Sequence, residues 1–219
     1  MHKWTYLIAA AIVASTANPL QALDLSSLTG TTEVQFQPMQ SAGIKEGCTL
    51  VYRAVGRDYT NRKGNLISLA GNVGYQTNKQ RNNVVLSLKI GMIDSLDHGA
   101  RPEAPFFAYL QSPHGTTAKS ELVQFDSPDM PGFRVFVYEL DEDVLKVYKD
   151  IVDGVPVTIG FNRRKGGLDV LVPLDLNVAE SMITADGSIK RRRSNEMLLE
   201  FLECVTDVTE QAQKQLQGK

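Results

Sequence analysis

The sequence predicts a mainly β, α+β fold: an antiparallel sandwich-like or curled sheet with one short helix and a C-terminal helix docked through a disulfide. Three observations predict it. From Cys48 onward, short apolar or alternating runs recur at near-regular spacing, separated by Gly-, Asn- and Pro-containing turns. Two later segments, around residues 141–154 and 194–209, instead place apolar residues three and four apart, the helical period. The chain has two cysteines, Cys48 at the first strong strand and Cys204 on the second helical segment.

The pairing of those cysteines depends on compartment. The chain opens MHKWTYLIAAAIVASTANPLQA. His2 and Lys3 form a short polar start, and Trp4 to Ala14 is an apolar run. Small and helix-breaking residues follow, from Ser15 to Pro19. This is the layout of a secretory signal peptide over residues 1–22, cleaved after Ala22 or alternatively after Ala17 or Ser15. The run is shorter than the ~20 apolar residues of a membrane helix, and no later stretch approaches that length. The expectation is a periplasmic or secreted protein without a transmembrane segment. In such a compartment Cys48 and Cys204 pair within the chain, closing a loop worth on the order of 5 kcal/mol in the chain-entropy account. Two buried thiols or a bridge between subunits are the alternatives.

Past the leader, residues 23–47 read as a flexible, polar N-terminal arm, with one alternating patch at Val34, Phe36 and Met39 that suits a loose edge strand. Residues 48–209 form a single β-rich domain, and 210–219 a polar C-terminal tail. In CTLVYRAV, Leu50, Tyr52 and Ala54 share one face. LISLAGNVGY is a second strand, which Gly71 and Gly74 weaken or bulge. VVLSLKIGMI, FFAYLQ, ELVQF and GFRVFVYEL continue the series. DEDVLKVYKDIVDG places Val144, Leu145, Tyr148, Ile151 and Val152 on a helical stripe. Asp141, Glu142 and Asp143 suit its N-terminus, and Gly154 its end. VPVTIGF and LDVLVPLDL form a hairpin across NRRKGG, with Gly166 and Gly167 supplying the tight connection. Pro156 and Pro173 belong at strand ends or edges. Ser194 or Asn195 caps the last helix, whose stripe is Leu198, Phe201, Leu202, Val205 and Val208.

In residues 141–176, a helix closed by Asp153-Gly154 leads into the strand VPVTIGF and then a further strand. Over that segment the chain loosely resembles proteins of the invasion-associated locus B type. The further cysteines and tryptophan pattern of that family are not matched, and the resemblance brings no functional residue into this sequence.

The search for chemistry is largely negative. No nucleophile elbow, H-E-x-x-H, P-loop or EF-hand pattern occurs. Past the leader only His98 and His114 remain, both in glycine-flanked loops. If those loops met, Asp94, Asp97, His98 and His114 could hold a metal, but no pair has helical ligand spacing. The expectation is no metal and no cofactor. The whole chain has 23 basic and 25 acidic residues; the leader takes one base, leaving 22 against 25, or −3. A general nucleic-acid binder would show a basic excess. Two basic clusters stand out: Arg163, Arg164 and Lys165 at the hairpin tip, and Lys190, Arg191, Arg192 and Arg193 before the last helix. Both are candidate contacts for an anionic envelope component or an acidic partner protein, the second in an exposed loop. The functional expectation is an exported, non-enzymatic binding or accessory protein of the bacterial envelope, such as an adhesion, assembly or inhibitor component. The alternatives are a hydrolase with an unrecognised carboxylate or histidine site, and a carrier of a small ligand or lipid.

Overall fold

A computed structural model describes residues 28–41, 44–78, 83–94, 101–120, 122–184 and 188–217. The expected signal peptide, and Asp97 and His98 of the possible metal site, lie outside the described residues.

The alternation read in the sequence decides which way each strand faces. In β2 (Ile44–Asp58) the residues Cys48, Leu50, Tyr52 and Ala54 point to one side and are buried. Their neighbours in β3 (Asn65–Asn78) and β4 (Asn83–Ile93) do the same: Leu69 and Val73, then Leu86, Leu88 and Ile90. These strands belong to an eight-stranded antiparallel sheet. Its other members are β1 (Gly30–Ser41), β6 (Leu122–Asp126), β7 (Arg134–Glu139), β10 (Val178–Ile183) and β11 (Ile189–Arg193), in the order β11-β10-β1-β2-β3-β4-β7-β6. A second antiparallel sheet of three strands, β5 (Phe107–Gln111), β8 (Val157–Asn162) and β9 (Val170–Leu174), runs in the order β5-β8-β9. Its Ile159, Phe161, Val172 and Leu174 join the same core as the inner face of the large sheet. Tyr138 of β7 donates its hydroxyl to the Ala108 carbonyl of β5 at 2.6 Å, so this buried polar tip is satisfied.

The two expected helices form. In α1 (Glu142–Val152), Asp141 caps the start by accepting from the Val144 amide at 2.8 Å. Gly154 takes φ +71° just past the end. The buried stripe is Val144, Val147 and Ile151; Leu145, expected on it, is half exposed. The acidic triple thus has local work, since Glu142 and Asp143 also pair with Lys146. Helix α2 (Glu196–Gln217) buries Leu198, Phe201, Cys204, Val205 and Val208 against β1, β2 and β3. Ser194 accepts from its first amide. Cys204 is bonded to Cys48 with the Cα atoms 5.9 Å apart, 156 residues apart in sequence. Tyr75 and Thr209 share a hydroxyl contact at 3.1 Å, and Lys45 pairs with Asp207 at 2.5 Å, so the staple is flanked on both sides by polar contacts.

Four expectations change. Residues 30–41, read as a flexible arm or loose edge, are strand β1 inside the large sheet: Val34 is buried, and β10 and β2 flank the strand. The polar tail read from residue 210 continues as helix to Gln217. Gly71 neither ends nor bulges β3, because a side chain there would press on the Lys89 carbonyl oxygen of β4. Without one, Tyr52 reaches across and donates to that same oxygen at 3.2 Å. Finally, residues 189–193 are the edge strand β11 rather than a loop, for reasons given below.

Candidate functional site

Helix α2 and the small sheet share the inner side of the large sheet. The cross-strand register then fixes what stands on the other side. One row across the sheet reads Gln35, Val51, Asn72, Lys89, Val135 and Phe125; the next reads Gln37, Thr49, Gly74, Ser87, Val137 and Val123. These side chains are mostly short and uncharged. Of these, Gln37, Thr49, Asn72, Ser87, Lys89, Val135 and Phe125 line an open trough of about 370 Å³, walled by the turn through Ser127, Pro128 and Asp129. The carboxamides of Gln37, Asn72 and Gln76 line it, and among the described residues none has a hydrogen-bond partner. The hydroxyls of Thr49 and Ser87 are spent on the carbonyls of Gln37 and Gly74. Their remaining lone pairs face outward only as acceptors. Met39 and the half-exposed Phe125 supply an apolar patch at either end.

One charge pair crosses the trough. Lys89 donates to both oxygens of Asp129 at 2.9 Å, and Ser127 donates to Asp129 at 2.5 Å. The serine hydroxyl first, and Lys89 second, hold the Asp129 carboxyl down at about 2. Lys89 is therefore neutralised at every physiological pH, and the trough offers amides, an aromatic edge and no net charge.

The basic clusters are dispersed. Arg163 is mostly buried: its Nε meets the fully buried Asp58 at 2.9 Å, and its other nitrogens fork onto Asp94, which Arg62 also reaches. Burial works against its charge, but Asp94 and Asp58 outweigh that and raise its pKa. Arg164 and Lys165 are exposed and without an acidic partner among the described residues. The strand geometry of β11 sends alternate residues of the second cluster to opposite faces, which relieves the repulsion of four adjacent cations. Arg191 donates to the carbonyls of Thr31 and Thr29 at 2.9 and 2.7 Å. Arg192 lies 3.8 Å from Glu180, and Arg193 pairs with Asp175 at 2.7 Å. Lys190 stays exposed, opposite Met182.

His114 packs its Nδ1 on the buried Asp150 carboxylate at 2.8 Å. Burial pushes Asp150 up, but hydrogen bonds from Ser112 and His114 prevail and hold it below the usual carboxylate range. Among the described residues no group of three or more His, Cys, Asp or Glu side chains is placed to hold a metal. No helix among them is long and apolar enough to cross a membrane.

Comparison with family models, curated proteins and solved structures finds no match. The likeness of residues 141–176 to the invasion-associated locus B type therefore stands on those residues alone, and the functional argument on the site's own geometry.

Sequence reasoning missed the trough. Its residues are the polar half of each alternating strand, which in isolation reads as ordinary solvent-facing surface. Only the register, which sets Gln37, Thr49, Asn72, Ser87 and Lys89 side by side, turns scattered polar positions into one surface.

Proposed function

We propose that this chain is an exported, non-enzymatic binding or accessory protein of the bacterial envelope, and that it recognises its partner on the outer face of the eight-stranded sheet. The observation that carries the reading is the set of three unpartnered carboxamides on a rigid sheet whose opposite face is covered and stapled by Cys48–Cys204. Free amide donors and acceptors on strands suit recognition of neutral polar groups, and the Phe125 and Met39 ends add apolar contact. A disulfide joining positions so distant fits an oxidising compartment, and so does the leader read in the sequence.

The carrier alternative would need space on the inner face, where Tyr52, Phe136, Tyr138, Phe161 and Phe201 are packed and fully buried. The hydrolase alternative has one specific support, the orientation of His114 by buried Asp150, which leaves the Nε2 side of an exposed ring toward solvent.

The test is capture from envelope extract by the immobilised exported protein, run beside Asn72→Trp, which fills the trough, and Leu145→Arg, on exposed α1 surface. The reading expects a defined species retained by the parent and by the α1 variant and lost by Asn72→Trp. Equal retention by all three would overturn the trough as the binding face. Loss of a hydrolytic activity in His114→Ala would transfer support to the enzyme reading.

A further inference from the structure

We infer that one end of the molecule, formed by the turn at residues 59–64 and the hairpin connection at 163–169, docks on a bilayer surface bearing anionic headgroups. The two loops are held together from beneath. Thr60 donates to the Asp169 carbonyl at 3.4 Å, and the Arg163–Asp58 pair joins the root of one loop to the root of the other. Between them lies a cleft of about 650 Å³ that Arg57, Tyr59, Thr60, Asp169 and Leu171 line.

Two independent features coincide at this end. Tyr59 and Leu168 are 75% and 76% exposed, the highest values among the exposed large hydrophobic side chains. Single exposed apolar residues mean little, but Tyr59 and Leu168 each precede one partner of the Thr60–Asp169 hydrogen bond, so both stand on the same end of the molecule. Beside them stand Lys63, Arg164 and Lys165, all exposed and none with an acidic partner in the described chain. The remaining charges facing this end are already engaged. Asp58 and Asp94 hold Arg163 and Arg62, Glu103 lies 3.7 Å from Arg163, and Asp169 accepts from Tyr109 and Asn162. Counting Arg57, the described residues of this end carry six cations against four acids on a chain whose formal net charge is −2, so an anionic surface attracts this end and repels the rest. Cations beside a tyrosine and a leucine are the combination that an anionic interface rewards, with the charges at the headgroups and the ring and aliphatic chain just below them. A soluble polyanion would use the cations and leave Tyr59 and Leu168 in water.

The experiment is vesicle flotation of the exported protein with phosphatidylcholine alone and with phosphatidylcholine mixed with phosphatidylglycerol. The inference expects co-flotation with the mixed vesicles only, weakening as salt is raised. Replacing Lys63, Arg164 and Lys165 together by Gln should lower partitioning roughly a hundredfold, about fivefold per charge. Tyr59→Ser with Leu168→Ser should lower it about tenfold or more. Because Trp4 is the one tryptophan of the whole chain and lies in the expected leader, Tyr59→Trp gives the exported protein a single reporter. Its emission should shift to the blue with mixed vesicles and not with phosphatidylcholine. No flotation of the parent with mixed vesicles, or no shift of the reporter, would overturn the inference. So would full retention of binding by the serine pair, which would mark simple polyanion attraction. None of these results depends on the trough, so this inference and the proposed function can fail separately.

Discussion

Arg163 and Arg164 are adjacent and chemically identical, yet one lies at the centre of a buried ion network and the other in solvent. Truncating Arg163 to Ala leaves Asp58, whose side chain is fully buried, without its counter-charge; such uncompensated burial costs about 3–5 kcal/mol. Arg164→Ala should change stability by less than about 0.5 kcal/mol. Urea unfolding of the two variants checks this pair, and equal midpoints would refute the placement of Arg163. Gly71→Ala is the second case at this scale. A methyl group there would lie 1.8 Å from the Lys89 carbonyl oxygen, so β3 and β4 must part and Tyr52 must give up its bond. The expected loss is about 3 kcal/mol, against about 1 kcal/mol for Tyr52→Phe, which removes the hydroxyl alone. Neither residue's role is legible in the sequence, because each depends on a neighbour distant in the chain that only the fold brings close.

At the scale of elements, most of the fold was legible. Alternation located β2 to β9 with small boundary errors, because all of those strands but β6 bury one face or lie wholly in the core, and burial is what the hydrophobic pattern records; β6, with Val123 and Phe125 exposed, was read from its apolar residues alone. The strands β1, β10 and β11 were harder to see. Among the described apolar side chains only Val34 of β1 and Val178 of β10 are deeply buried, while Met182 and Ile183 stay exposed, so the pattern is faint. The run KRRR looked like a loop because nothing in one dimension shows that Thr29, Thr31, Glu180 and Asp175 are waiting for those cations. This has a direct consequence: neutralising Arg191, Arg192 and Arg193 together should lower the melting temperature by several degrees through loss of the β1–β11 contacts, with partner binding changed only as far as folding is. An unchanged melting curve would return these arginines to the surface role the sequence suggested. The disulfide, by contrast, followed from two cysteines and the export expected from the sequence. Cys204→Ser should free α2 from β2, raising amide exchange along residues 196–217 well before the rest of the domain, and should cost about 2–5 kcal/mol.

The whole molecule couples these elements to solution conditions. Asp129 titrates at about 2 and Asp150 below its ordinary value, so each is more acidic folded than unfolded. Their contributions to stability are in full force above the ordinary carboxylate value near 4 and are lost as pH falls through the lower folded values. Thermal melting should therefore be insensitive to these two groups between pH 7 and about 5 and should decline below about 4. Asp150→Asn should blunt that decline more than Asp129→Asn, because Asp150 is buried while Asp129 is largely exposed and screened. Function is read at the same scale: one face of the large sheet is covered by the small sheet and the stapled helix, and the other presents free amides around a neutralised lysine. Sequence alone separates strand from helix here but does not say which polar edge faces which.

The central claim, that partner binding occurs on that outer face, is tested most directly by site-specific photocrosslinking in intact cells that export the protein. A photoreactive residue in place of Gln76, in the trough, should yield a discrete adduct on illumination. The same group in place of Glu203, on the exposed side of α2, should yield none. An adduct from Glu203 with none from Gln76 would contradict the account.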